Sequence, residues 1–300
     1  MTTTNGLLLL DKPAGLTSHD VVAQVRKIVN ERRVGHAGTL DPMATGLLVL
    51  GIGPSTRLLR FAQSEVKRYV GTVTLGVATD SLDAQGAVVE ERSVPTLSSV
   101  EVSSAAAQMV GTQMQTPPMV SALKVGGRRL HQLAREGVEV ERNAREVTIS
   151  EFTTCATSDP AQWDFEVECT VGTYVRVLLS DLAQSLGTVG HLSALRRVSS
   201  GHHHVDEAVT LEVFANLMET GASPLRPPGD FVTQLLTVVI DDDQERRLRM
   251  GQQVELARSF DAAEIAATNQ RGELVGILRP RAQKWKPELI LPIVTDEHAD

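Results

Sequence analysis

Apolar runs broken by Pro, Gly and Asp set the rhythm of this chain. "GLLLLDKPAGLTS" (6–18) predicts a buried strand closed by a Pro-Gly turn. Thr17 or Ser18 then caps a helix, because Val21, Val22, Val25, Ile28 and Val29 recur at helical spacing on one face. "LLVLGIG" (47–53) predicts a second buried strand, and "PSTRLLRFAQS" a short helix with Pro54 near its start. In "RYVGTVTLGVATD" the two-residue period sets Tyr69, Val73, Leu75 and Val77 on one strand face. "TDSLDAQGAVVEE" turns into a further strand. Residues 98–111 predict a helix, 115–128 a Pro- and Gly-punctuated loop, and 129–136 a helix. Strands are expected near 145–157 and 163–171, and "GTYVRVLLSDLAQSLG" is a turn leading into a helix.

The pattern changes at "SPLRPPGD" (223–230), where three prolines and a glycine fall within eight residues. Short β-like segments follow, "LLTVVI", "QVELA", "EIAATN" and "LVGILRP", and end near "ELILPIV". We expect a division into 1–228 and 229–300, with few contacts crossing it and a disordered tail "TDEHAD". The chain has no internal repeat and no low-complexity tract.

Bulk composition adds limits. The 300 residues are 42% hydrophobic and 22% charged, the balance of a soluble globular chain able to bury a sizeable core. A net charge of -8 argues against a generally basic surface, so a nucleic-acid footprint would have to be local. Cys155 and Cys169 lack metal-ligand spacing and are expected to be reduced and partly buried, as in a cytoplasmic protein. The first strand has no basic segment before it, so it does not read as a signal peptide. No stretch approaches the roughly 18–20 apolar residues of a membrane span.

Several motifs resolve into plain structural readings. "GIGPST" (51–56) has the setting of a dinucleotide loop but lacks the third glycine and the acidic residue downstream, so a strand-to-helix turn is the better reading. The chain contains no GxxxxGK[ST], HExxH, CxxC or GxSxG. His202, His203 and His204 alternate faces on extended backbone and cannot all reach one ion, so a solvated loop is expected. Basic residues gather at Arg57, Arg60, Lys67 and Arg68, and again from Lys124 to Arg145. Both groups sit among glycines and turns, which suits phosphate contact from loops.

"RVGHAGTLDPMATG" (33–46) is different. Asp-Pro pairs start turns, and most do nothing else. Here Gly35, Gly38 and Gly46 permit close approach, His36 stands nearby, and a buried strand anchors the loop to a sheet. These features make Asp41 a candidate reacting group without naming the reaction.

Taken whole, "GHAGTLDPMATGLLVLGIG" resembles the catalytic signature of the bacterial tRNA pseudouridine-55 synthases, the TruB family. "GLLLLDKPAGLTSHDVV", "KRYVGTVTLGVATDSLDAQG", "PPMVSALKVGGRRLHQLAREG", "GTYVRVLLSDLAQSLG" and "HLSALRRVSSG" resemble further blocks of that family, in order, from about residue 6 to about 210. The resemblance implies an α+β fold, a mixed and largely antiparallel sheet with flanking helices, plus a small mostly-β C-terminal PUA-like domain. It implies a cofactor-free, metal-free isomerase that converts uridine 55 in the TΨC arm of tRNA, with no obligatory protein partner. The enzyme would be a cytoplasmic monomer without membrane association.

Asp41 matches the family's catalytic aspartate. Tyr174 and Arg176 match an active-site tyrosine and the arginine paired with that aspartate. Tyr69 matches the tyrosine that stacks on the target base, contributing through its ring and little through its hydroxyl. His36 matches a histidine contacting the RNA loop, Leu195 an apolar residue lining the base pocket, and Lys12 a buttressing lysine. Arg128 and Arg129 fall in the block over the RNA-binding face. Two departures stand out: His131 replaces a common tyrosine, and the part after residue 230 resembles the family only loosely.

The implied chemistry breaks N1–C1′ and rejoins the base through C5. That requires an extruded base, an aromatic platform and an ionised carboxylate. Asp41 can serve as nucleophile at C1′ or C6, or as base at C2′, with Arg176 keeping it charged. Tyr174 is a candidate for removing the C5 proton. Two other classes of function stay open from the residues alone: an RNA-binding or RNA-folding protein, and a nucleotide-dependent enzyme using "GIGPST".

Overall fold

A computed structural model of the chain describes residues 4–63, 66–121, 124–125, 127–129, 136, 138, 140–258 and 260–293. The chain opens with β1 (Gly6–Lys12), β2 (Val34–His36), β3 (Thr45–Ile52) and β4 (Lys67–Leu75). A ribbon of β5 (Val77–Thr79) and β6 (Val88–Glu91) follows, then β7 (Gly111–Gln115) and a small hairpin of β8 (Lys124–Val125) and β9 (Arg128–Arg129). Next come β10 (Arg145–Ala156), β11 (Gln162–Cys169), β12 (Gly190–Ser200), β13 (His203–His204) and β14 (Val209–Thr210). A ten-stranded sheet takes the order β14-β1-β3-β12-β4-β11-β10-β7, with β2 on β3 and β13 on β12. It is antiparallel except where β1 meets β14 and β3 meets β12. The expected mixed, largely antiparallel α+β fold is therefore present.

The alternation along β3 explains why the sheet's first half is covered on both faces. Leu48, Leu50 and Ile52 pack with Val21, Val22, Val25 and Val29 of the helix Ser18–Val29. Leu47 and Val49 point the other way and pack with Phe231, Ala266, Ile277 and Leu289. Thr17 caps the helix, sharing a capping box with Asp20. In the sheet's second half, Tyr69, Val73 and Leu75 join Trp163, Phe165 and Val167 on one face. The helices Ser99–Gln108 and Val175–Ser185 cover that face.

The residues after 230 form a second sheet, β15 (Thr237–Val239), β16 (Ile265–Thr268), β17 (Leu274–Arg281) and β18 (Lys284–Ile290), in chain order. The expectation that few contacts cross the proline-rich run does not hold. Leu7, Leu9, Leu47, Val49, Leu58 and Phe61 share one apolar cluster with Phe231, Ala266, Ile277 and Leu289. Arg226, inside that run, exchanges backbone hydrogen bonds with Leu7 at 3.0 and 2.8 Å. Arg60 also pairs with Glu264 at 2.8 Å.

Other expectations need adjustment. β4 ends at Leu75 because Gly76 takes a φ of +91°, so Val77 opens β5 instead of extending the stripe. The helix Asp242–Arg249 went unread because only Leu248 is buried and no apolar stripe marks it. Its signals are polar: a capping box of Asp241 with Gln244, acidic residues in the first turn and arginines in the last. Cys169 is buried but Cys155 is exposed. The triple histidine is not simply solvated: His204 is exposed, whereas His203 is buried, with neither ring nitrogen partnered among the described residues. The helix expected at 129–136, with His131 in it, and the tail at 295–300 lie outside the described residues, apart from isolated positions in the former.

Candidate active site

Asp41 sits in the loop between β2 and β3, and the surrounding chain leaves that loop little freedom. Its carbonyl accepts from Ala44 N–H at 3.1 Å, the closure of a four-residue turn with Pro42 in second place. Just before it, the Ser18 hydroxyl accepts from Leu40 N–H at 2.9 Å and lies 3.2 Å from Leu40 O. Just after it, Pro42 O accepts from Gly15 N–H at 2.8 Å and from Lys12 Nζ at 3.3 Å. Gly46 closes the loop with a φ of +98°, held between Lys12 of β1 and Arg197 of β12. A Cβ there would stand 2.3 Å from Arg197 O, so no side chain fits.

Arg176, in the first turn of helix Val175–Ser185, brings the distant blocks together. Its Nε lies 3.0 Å from Asp41 Oδ2, and its Nη2 donates to Asp41 Oδ1 at 3.3 Å. The same guanidinium donates to Ser81 O at 2.7 Å and Val120 O at 2.8 Å, and lies 3.3 Å from Asp83 Oδ2. Asp83 is buried and is itself held by the Ser81 hydroxyl at 2.6 Å and Gln85 N–H at 3.0 Å. Arg176 is 3% exposed, while Asp41 keeps 35% of its side chain open. A buried arginine with two carboxylates and two carbonyls is well satisfied, and it fixes the orientation of Asp41.

The pairing does not depress the Asp41 pKa. Burial raises it above the ordinary carboxylate value, Asp83 adds to the rise, and Arg176 and Lys12 only partly offset it. Lys12 is fully buried, and burial pushes its amine down to about 8 against the pull of Asp41.

A cavity of about 260 Å³ lies over this arrangement, lined by Asp41, Lys67, Tyr69, Tyr174, Leu195 and Arg197 among others. It is smaller than the roughly 300–1,000 Å³ of drug-sized pockets. Tyr69 comes from β4, opposite Arg197 of β12, and keeps 8% of its surface exposed. Its hydroxyl is not idle: burial raises its pKa, and the charge of Arg197 opposes the rise. Arg197 is fully buried and also donates to Leu47 O at 2.7 Å and Gly38 O at 3.2 Å.

The structure thus gathers Asp41, Tyr69, Tyr174, Arg176 and Leu195, with Lys12 beneath them. It places His36 elsewhere, on β2, with its ring 5.7 Å from that of His19. Burial pushes His36 down to about 4, so at neutral pH it is uncharged. Arg128 is exposed on the β8–β9 hairpin, pairs with Glu136 and is not among the residues lining the cavity. The side chain of Arg129 lies outside what is described.

The first basic cluster is largely engaged within the chain. Arg68 is held by Glu151, Glu166 and Glu168, Arg60 by Glu264, Arg57 donates to Ile290 O, and Lys67 is buried. "GIGPST" is a packing turn: a Cβ on Gly53 would lie 2.4 Å from Thr4 O. Asp83, Gln115 and Arg197 are site residues that the sequence reading missed. Each is an ordinary residue in a strand or turn until the fold buries it.

Known proteins resemble this chain along most of its length. The description "TruB family pseudouridylate synthase (N terminal domain)" matches residues 26–175, and "tRNA pseudouridylate synthase B C-terminal domain" matches 176–227. The tRNA pseudouridine synthase B of Opitutus terrae is 47% identical over 213 residues, 71% of this chain and 88% of that protein. The proteins of the same name from Streptococcus gordonii and Shouchella clausii are 40% and 38% identical. They cover 95% and 96% of this chain, and 99% and 96% of their own lengths. Among solved structures, the H/ACA RNP bound to a substrate RNA containing 2′-deoxyuridine has a chain with TM-score 0.73 at 21% identity, over 96% of this chain and 85% of that one. A Cbf5-Nop10-Gar1 complex gives TM-score 0.73 at 23% identity, over 97% and 85%. At those identities the structural likeness speaks for the fold alone.

Proposed function

The chain belongs to the TruB family of pseudouridylate synthases, and we propose that it isomerises uridine 55 in the TΨC arm of tRNA to pseudouridine without a cofactor. The observation that supports this most is the Asp41 carboxylate, oriented by Arg176 at a small cavity walled by Tyr69, Tyr174 and Leu195. A tRNA-binding protein without catalysis has no use for a carboxylate held ionisable in a partly dry pocket. A nucleotide-dependent enzyme would need the "GIGPST" glycines free for a ligand, and they are packed against the chain's own backbone.

In the proposed reaction the uridine leaves its stack and enters the cavity against the Tyr69 ring, with Leu195 as apolar wall. Asp41 acts in its ionised form, as nucleophile at C1′ or C6 or as base at C2′. The N1–C1′ bond breaks, the uracil turns, and C5 bonds to C1′. The proton on C5 leaves and N1 regains one, so the product is an isomer of the substrate. Tyr174, which lines the same cavity, takes the C5 proton in this scheme. Lys12 holds Pro42 O and so the turn that carries Asp41.

Uncharged His36 meets the RNA loop by hydrogen bonding or stacking, while exposed Arg128, with Arg129 and Arg145, meets phosphates. The working unit is a cytoplasmic monomer with tRNA as its one required partner. Residues 1–228 form the catalytic unit, and 229–300 a PUA-like unit fused to it through a shared core.

The test is tritium release from tRNA labelled at uridine C5, with purified protein and no added cofactor. Release matching one uridine per tRNA, mapped to position 55, is expected. Binding without release would leave a binder; release from another position would overturn the site assignment.

A further inference from the structure

Helix Val175–Ser185 begins at Tyr174, a residue type poorly suited to capping, and no side chain of its own caps it. The Tyr174 carbonyl takes the first helical bonds, from Val177 and Leu178 N–H at 3.1 and 3.2 Å, and a side chain from another strand grips the same residue. Gln115, the last residue of edge strand β7 and 6% exposed, turns its amide toward the Tyr174 peptide. Its Oε1 accepts from Tyr174 N–H at 2.7 Å, and its Nε2 donates to Tyr174 O at 3.2 Å. A carboxamide offers one acceptor and one donor side by side, the complement of one residue's N–H and C=O. Of the common side chains, only Asn shares that pair, and Asn is one methylene shorter.

The position of this clamp matters. Tyr174 faces the cavity, and Arg176, two residues on, holds Asp41. Immediately after Gln115 the chain enters the segment 116–121, whose Val120 O also accepts from Arg176. Gln115 therefore joins the root of that segment to the head of the helix, and both to the carboxylate. We propose that Gln115 is a positioning residue for the reaction, setting Tyr174 and Arg176 against Asp41 through the Tyr174 peptide. The inference rests on the pseudouridylation reading above.

Gln115→Glu and Gln115→Ala in the full chain test it. Glu keeps the shape and the acceptor for Tyr174 N–H, but sets a carboxylate oxygen against Tyr174 O. For both variants the single-turnover rate should fall about ten- to a hundred-fold, the loss expected from roughly an ångström of misplacement. Affinity for tRNA should stay within about twofold, because phosphate contacts lie elsewhere.

The rate–pH profile separates positioning from plain stability. Arg176 and Lys12 hold the Asp41 pKa down against burial and Asp83. If Arg176 drifts, that pKa rises, and the acid limb moves to higher pH. A variant with wild-type rate, or one whose lost rate follows a lost melting temperature with an unmoved acid limb, overturns the proposal. Hydrogen exchange across residues 173–178 reads the clamp without any activity. Faster exchange in both variants supports it. Unchanged exchange overturns it, even for a protein whose wild type releases no tritium and whose functional reading has failed.

Discussion

Asp41 serves as a turn residue through its backbone and as an ion-pair partner through its carboxylate, and the second role has a measurable pH signature. A protonated Asp41 can neither attack carbon nor remove a proton. The rate should therefore rise with pH through its pKa, which burial holds above the ordinary carboxylate value. The acid limb of the single-turnover profile should sit correspondingly above that value; a limb at or below it would mean Arg176 outweighs burial. The same shift acts on stability. A carboxyl whose folded pKa is raised contributes fully below its unfolded pKa and loses that contribution as pH climbs through the folded one. At neutral pH its ionisation thus works against the fold. Asp41→Asn should lose turnover, keep tRNA affinity and melt no lower than wild type; substantial turnover without deamidation would remove Asp41 from the chemistry. Tyr69 carries a second prediction. Its hydroxyl interacts with the charge of buried Arg197, so Tyr69→Phe sets an apolar ring edge against that guanidinium, at a cost of about 1–3 kcal/mol. Tyr69→Leu also removes the stacking face, worth about a further 1–3 kcal/mol. Single-turnover rates should fall in the order wild type, Phe, Leu. A Phe variant equal to wild type would show that the Arg197 contact is incidental.

At the level of elements, Gly46 shows how the strands hold the loop. It lies between Lys12 and Arg197, and a Cβ would strike Arg197 O and N at 2.3 and 2.8 Å. Backbone, not a flexible side chain, is in the way. Gly46→Ala should force β3 and β12 apart and shift the Asp41 turn. The left-handed backbone alone costs on the order of 1–3 kcal/mol. Calorimetry should find a clearly lower melting temperature and a reduced rate; a variant with wild-type melting would show that the strands yield easily. This element was half legible in the sequence. The apolar runs located β1 and β3, the two-residue period located β4, and the spacing of valines located the first helix, because burial on a sheet or helix face imposes a pattern. Asp41, Tyr69, Tyr174 and Arg176 were legible because their blocks stand in a recognisable order. Asp83, Gln115 and Arg197 were not. They reach the site from β-strands and turns far apart in the chain, and topology alone makes them neighbours. The Arg68 cluster misled for the same reason: three glutamates from β10 and β11 meet it only once the strands pair.

The whole molecule joins its two sheets more firmly than a proline-rich run suggests, and removal of everything after residue 230 tests that join. Simple linker reasoning expects a folded, competent core with weaker tRNA binding. The structure argues for a different outcome. Leu7, Leu9, Leu47, Val49, Leu58 and Phe61 lie against Phe231, Ala266, Ile277 and Leu289, which the cut deletes. Full burial of one such side chain is worth about 1.5–3 kcal/mol. Exposure of half of each of the six that remain would cost roughly 5–9 kcal/mol, within the roughly 5–15 kcal/mol by which a domain is stable at all. These residues also belong to β1 and β3, the two strands that border the Asp41 loop. Loosening them loosens Lys12 and Gly46, which hold the turn. The truncated chain should express poorly, expose apolar surface and melt far below the full chain without a sharp transition. Any fraction that folds should lose single-turnover rate as well as affinity. The checks are calorimetry, size-exclusion behaviour and single-turnover rate at saturating tRNA. A truncated protein that melts cooperatively near the full chain and keeps its rate would mean the shared cluster adds little. The second sheet would then be an RNA-binding appendage and no more.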